Sequence, residues 1–236
     1  MSYTKRYDGR KADELRPIEA KVGVVKNADG SAMFKIGKTI AIAAVYGPRE
    51  LRPQFLQNQT RGVLRCNYNM LAFSGSGERV RPGPSRRSRE ISMITEKALF
   101  PLLNLEDFPG AVVDVFVELI QTDAGTRCAG ITAAAMALAH AGIPMKDIVS
   151  SVAIGVIDGN VFVDVSKQEE DHEGGMADIP VAMSTSTNKI TLLQADGIFT
   201  EEQLEKVLEA ARKACEKIKE VQIKALKDTY QGAGEE

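Results

Sequence analysis

AVVDVFVELIQTDAGTRCAGITAAAMALAHA, residues 111–141, carries a strand, a loop and a helix in one run. Ala111 to Gln121 is rich in Val, Ile, Leu and Phe and contains no breaker, as a buried strand does. Thr122 to Thr126 is a loop of small residues. Arg127 to Ala141 is Ala-rich and is closed by Gly142 and Pro144, the residues that end helices. A helix that opens straight from such a loop turns its free N–H groups, and the positive end of its dipole, toward whatever lies above Gly125. Gly125 allows close backbone approach, Thr126 offers a hydroxyl donor and Arg127 a bidentate contact, so an anion is the expected occupant. Capping by Asp123 or Thr126 would account for one polar residue. It would not account for Arg127 in the first helical turn, where a cation opposes the dipole.

Upstream, Ile18 to Val25, Ala32 to Ile36 and Ile40 to Tyr46 are short, β-rich and punctuated by Asp29-Gly30 and Gly37, which predicts a meander of strands. Val63 to Met70 alternates, with Leu64, Cys66, Tyr68 and Met70 on one face and Arg65, Asn67 and Asn69 on the other. Ile91, Ile94, Ala98 and Leu99 recur at helical spacing until Pro101. Downstream, two hairpins are expected, Val149 to Ile157 with Val161 to Val165, and Ile179 to Met183 with Ile190 to Gln194. Between them lies an acidic loop, Ser166 to Asp178. A capping box of Thr200 and Gln203 opens a long amphipathic helix to about Tyr230. The class is α+β, a single domain over 1–236 with its ordered core at about 7–230, because no linker separates two units.

A chain of 236 residues with 44% hydrophobic content buries a substantial core. A formal net charge of −2 gives no global attraction to nucleic acid, so any such binding needs a local basic patch. Cys66, Cys128 and Cys215 form no CxxC pair and fit a reducing compartment. No secretory signal and no run approaching the ~20 apolar residues of a membrane span are present, so the expected location is cytoplasmic, without membrane contact.

Two apparent motifs fail in context. Gly37-Lys38-Thr39 resembles the end of a phosphate-binding P-loop, but Ala32 stands where its first glycine belongs. Gly75-Ser76-Gly77 begins like a dinucleotide fingerprint, but Val80 replaces the last glycine. With His140 and His172 as the only histidines, no three-His zinc site can be written, and no metal site is expected from spacing.

Other residues fit the anion reading. Arg79, Arg81, Arg86, Arg87 and Arg89 crowd eleven residues that contain no acid, and guanidinium forks suit phosphate oxygens. The plain alternative is an exposed basic loop paired with Glu78 and Glu90. In the acidic loop, Glu169, Glu170, Asp171 and Glu173 read as solvated surface. Asp178 differs, since it abuts an apolar strand. A carboxylate anchored there can protonate a leaving oxygen, orient an attacking phosphate or hold a divalent cation such as Mg²⁺. It can equally be a plain strand-edge acid.

Asp8-Gly9-Arg10, Tyr46-Gly47-Pro48-Arg49-Glu50, Arg81-Pro82-Gly83-Pro84, Ser85 with Arg86-Arg87-Ser88, Gly125-Thr126-Arg127, Ala141-Gly142-Ile143-Pro144-Met145 and Ala177-Asp178 occur in an order that resembles the RNase PH family. Within it the chain is most similar to the phosphorolytic subunits of archaeal exosomes. The resemblance implies mixed sheets packed with helices, inorganic phosphate as co-substrate, and removal of nucleoside diphosphates from the 3′ end of single-stranded RNA. It places phosphate on Arg87, Gly125, Thr126 and Arg127, and the essential aspartate on Asp178. Relatives carry a second aspartate six residues earlier, where His172 stands; a one-residue insertion at Gly174-Gly175 assigns that role to Asp171. Arg61, Arg65, Arg79, Arg81 and Arg86 are candidates to hold the RNA backbone. The implied assembly is a hexameric ring shared with a second, inactive RNase PH-like subunit and topped by RNA-binding cap subunits. The alternatives are a non-catalytic RNA-binding ring subunit and a homohexameric RNase PH trimming tRNA 3′ ends.

Overall fold

The structure, a computed structural model, describes residues 3–76 and 80–232. The meander forms as expected, with β1 (Ile18–Val22), β2 (Gly30–Ile36) and β3 (Thr39–Glu50) pairing antiparallel in turn. Gly37 and Lys38 make the two-residue turn between β2 and β3, and Gly37 supplies the positive φ, +57°, that such tight hairpins require. β4 (Val63–Met70) and β5 (Ala111–Gln121) run parallel, so a crossover must join them, and α1 (Arg86–Leu99) provides it. The five strands are ordered β1-β2-β3-β5-β4.

α2 (Thr126–His140) follows β5 after a short loop and packs against β2, β3 and β5 on one side and β6 (Ser150–Ile157) on the other. A helix apolar on all sides belongs in the interior. Alanine and glycine keep it slim enough to lie there: a methyl group on Gly130 would stand 3.1 Å from Val117 Cγ1, and one on Gly30 of β2 would strike the Ala137 carbonyl at 2.4 Å. β6 pairs with β7 (Asn160–Val163) and with β8 (Ala177–Ser184), which pairs in turn with β9 (Lys189–Leu193), giving the antiparallel order β7-β6-β8-β9. The long helix α4 (Glu201–Gly232) begins at the Thr200–Gln203 capping box and seats Val207, Ala211, Cys215 and Ile218 against β6 and β1. One hydrophobic cluster runs through both sheets and the helices between them.

Two expectations need correction. The acidic segment is not all loop, for Lys167–Glu170 form a short helix, α3, after Ser166. Nor is Glu169 solvated surface. It is fully buried, gripped by Arg6 Nε and Nη2 at 2.8 Å each and by the Tyr3 hydroxyl at 3.1 Å. The Ser166 N–H also donates to it locally, at 2.8 Å, but Arg6 and Tyr3 lie more than 160 residues away in the chain, where no local pattern reveals them. Packing therefore begins upstream of residue 7, with Tyr3 and Arg6 both buried.

Candidate active site

The C-terminal ends of β4 and β5 point into a cavity of about 350 Å³. Ligands characteristically bind beyond the carboxyl ends of parallel strands, where loops lead into helix starts. Two such starts meet here. α2 is capped by Gly125 itself, in the left-handed conformation at φ +62°, with no side chain occupying its N–H groups. Neither Asp123 nor Thr126 serves as a cap, so those donors stay available. α1 begins at Ser85 through a reciprocal capping box with Ser88, and its first turn carries arginine and no acid.

Arg87, Gly125, Thr126, Arg127 and Asp178, named separately from the sequence, all line this cavity. Arg127 is steered by Gln194, whose Oε1 accepts from Nη1 at 2.6 Å. Arg87 makes no ion pair among the described residues.

Asp178 opens β8. Its backbone is fastened to Asp196 by reciprocal N–H to carbonyl bonds of 2.8 and 3.0 Å, so the carboxylate does not swing with a loop. Its Oδ1 is buried without a hydrogen-bond partner. Burial pushes the Asp178 carboxyl above the usual range, Asp196 adds to this, and the Arg127 and Arg87 guanidiniums only partly oppose it. Glu170 of α3 lines the same cavity; its carboxyl is also raised, by burial and then by the charge on Asp178. Asp171 lies elsewhere: its side chain is exposed and accepts from Lys167 Nζ at 2.6 Å. The acid that the helical turn of α3 presents to the cavity is Glu170.

The other basic candidates scatter. Arg61 precedes β4 and stacks over the Phe100 ring at 4.8 Å, about 20 Å from Tyr68 at a strand's rise per residue. Arg65, half-exposed, joins Arg49 in clasping buried Asp114 at 2.6 and 2.7 Å. Arg81 and Arg86 are exposed outside the cavity wall, and Arg79 lies outside the described residues. Sequence reasoning missed Tyr68, Lys167, Glu170 and Gln194. It also missed Thr39, whose buried hydroxyl donates to the Ala124 carbonyl at 2.8 Å and accepts from the Asp123 N–H at 2.9 Å. The alternation of β4 already put Tyr68 on the inner face; the others carry no sequence signal.

The free donors of the α2 start and the guanidiniums of Arg87 and Arg127 therefore share one cavity with two carboxyl groups of raised proton affinity. Residues 14–144 match the model of the 3′ exoribonuclease family, domain 1, and residues 147–214 its domain 2. This chain belongs to the RNase PH family of 3′ exoribonucleases. Among members of the family, it is 52% identical to the exosome complex component Rrp41 of Thermococcus kodakarensis, over 96% of this chain and 90% of that one. It is 48% identical to that of Methanopyrus kandleri, over 96% and 94%. Solved structures share the fold: rice Rrp46 (TM-score 0.82, 24% identity, 94% of this chain and 100% of that one) and the Archaeoglobus fulgidus exosome with RNA bound to its active site (0.78, 23%, 92% of each).

Proposed function

We propose that this chain is the phosphate-dependent 3′-to-5′ exoribonuclease subunit of an exosome-like ring, releasing nucleoside diphosphates from single-stranded RNA. The observation that carries the reading is the convergence of Arg87, Thr126, Arg127 and the free α2 N–H groups beside Asp178 in one cavity. Orthophosphate and a phosphodiester repel one another, so bringing them together requires neutralisation and positioning, which this wall supplies. A phosphate oxygen attacks the last phosphodiester phosphorus and the P–O3′ bond breaks. Its electron pair goes to O3′, which takes a proton, leaving a nucleoside diphosphate and an RNA one residue shorter. Asp178, whose burial favours the protonated form, is placed to give that proton. Glu170, rather than Asp171, is the second acid of the site.

Asp178, with its unpartnered Oδ1, and Glu170 also fit one Mg²⁺, which takes one or two carboxylates and completes its shell with water and phosphate oxygens. Bound there, it would neutralise charge on the reacting phosphates. Arg81 and Arg86, outside the mouth, suit incoming RNA backbone; Arg61 and Arg65 suit more distant stretches or a neighbouring subunit. Kinship with Rrp41 supports partners of the exosome type, a second RNase PH-like subunit and RNA-binding caps. No helix among the described residues is long and apolar enough to cross a membrane, and three buried free cysteines accord with a cytoplasmic setting.

The test incubates the purified chain, alone and with an RNase PH-like partner subunit, with single-stranded RNA with and without phosphate. Nucleoside diphosphates that appear only with phosphate are the expected product. Monophosphates, or release independent of phosphate, would refute phosphorolysis; RNA binding without release under every condition would leave a scaffold subunit.

A further inference from the structure

The loop before α2 is strained. Ala124 and Gly125 are consecutive left-handed residues, at φ +59° and +62°, and alanine pays about 1 kcal/mol or more for that conformation. Strain of this kind persists only where the surroundings over-determine the backbone. Two contacts from outside the cavity do so. Thr39 holds the Ala124 carbonyl, and Arg16 Nη1 donates to the Asp123 carbonyl.

Arg16 is itself elaborately held. It is 6% exposed; its backbone N–H and Nε donate to Asp164 Oδ2 at 2.8 and 2.9 Å, and its Nη2 donates to Asp164 Oδ1 at 2.6 Å. The side chain passes over Gly37, where a methyl group would stand 2.4 Å from Arg16 Cδ. Its Nη2 reaches within 3.5 Å of where a Gly125 Cβ would be. Arg16 does not line the cavity, so it acts through the loop rather than on the ligand.

We propose that Arg16 is a positioning residue of the anion site: locked by Asp164 and admitted by Gly37, its guanidinium fixes the Asp123 carbonyl so that Gly125, Thr126 and Arg127 face the bound anion. The inference rests on the cavity being the orthophosphate site. Loss of the Arg16 contact lets Ala124 relax toward ordinary backbone and turns the α2 donors away, which weakens phosphate without touching RNA.

The experiment measures KM for phosphate, affinity for single-stranded RNA and melting temperature in the assembled enzyme for wild type, Arg16→Met, Arg16→Lys and Gly37→Ala. A displacement of about 1 Å at a reacting group costs up to about a hundredfold, so Arg16→Met should raise KM for phosphate roughly ten- to a hundredfold at unchanged RNA affinity. Arg16→Lys, which keeps the charge and one of the two contacts, should recover part of that loss. Gly37→Ala, which displaces the arginine without altering it, should move KM the same way. Phosphate KM within about twofold of wild type in Arg16→Lys and Gly37→Ala, with activity falling only as melting temperature falls, would overturn the role, since a plain structural arginine behaves so. A wild type whose RNA cleavage ignores phosphate would instead overturn the reading of the cavity.

Discussion

Glu169 and Glu170 are adjacent in sequence and belong to two regions of opposite character. Glu169 sits in a clasp where every acid has a cation: Arg6 on Glu169, Arg10 and Arg16 on Asp164. Burial alone would raise the Glu169 carboxyl, but the Arg6 bonds and the Ser166 N–H outweigh it and hold it low. One residue on, Glu170 lines the same cavity as Asp178, and both carboxyls are pushed up, Glu170 by burial and then by the charge on Asp178, Asp178 by burial and by Asp196. The clasp satisfies its charges and makes structure. The cavity leaves Asp178 Oδ1 without a partner and gives Glu170 only a longer pairing with Lys167, at 3.6 Å, an arrangement that costs stability and suits groups proposed to bind an anion and move a proton.

The contrast predicts a ranking of effects. Asp178→Asn should lower kcat about 10²- to 10⁴-fold, as loss of a general acid does, with phosphate and RNA affinity nearly kept; a loss confined to KM would assign it to binding alone. Arg6→Met strands Glu169 in the interior and should cost about 3–5 kcal/mol, read as a fall in melting temperature of roughly 10 °C; an unchanged melting curve would break the clasp half of the comparison. Arg127→Met removes a charged donor worth about 1.5–3 kcal/mol and should raise KM for phosphate roughly ten- to a hundredfold.

Smaller effects sharpen the difference. Asp178→Asn should melt higher than wild type at neutral pH, by about 2–4 °C for each ~1 kcal/mol relieved. The sign follows from its raised carboxyl: that contribution to stability is fully present below the ordinary value of about 3.9 and is lost as pH rises through the higher folded value. The gap should therefore close on acidification, and a gap that widens toward acid would contradict the raised carboxyl. Smallest of all, Glu170→Gln should alter the pH profile of kcat more than Asp171→Asn does; the reverse order would return the second acid to Asp171.

The cationic wall was legible in sequence because its parts are local. Gly125, Thr126 and Arg127 are contiguous, Arg87 stands at a recognisable helix entrance, and strand alternation and helix punctuation placed the elements that carry them. The clasp was not legible, because Arg6 meets Glu169, and Arg16 meets Asp164, across some 150 residues or more. The choice between Glu170 and Asp171 depends on which way one short helical turn points, which composition does not encode. Gly37-Lys38-Thr39 is a similar case: it is no P-loop, yet Gly37 and Thr39 support the anion loop from outside the cavity.

The central claim, one tetrahedral anion held where two helix starts meet beside Asp178, is tested most directly by soaking crystals in tungstate and mapping its anomalous signal with and without competing phosphate. The account predicts a strong peak with oxygens about 3 Å from the Thr126 and Arg127 N–H groups and the Arg87 guanidinium, erased by phosphate. Tungstate found only at exposed arginines such as Arg61 or Arg65, with that cavity empty, would contradict it.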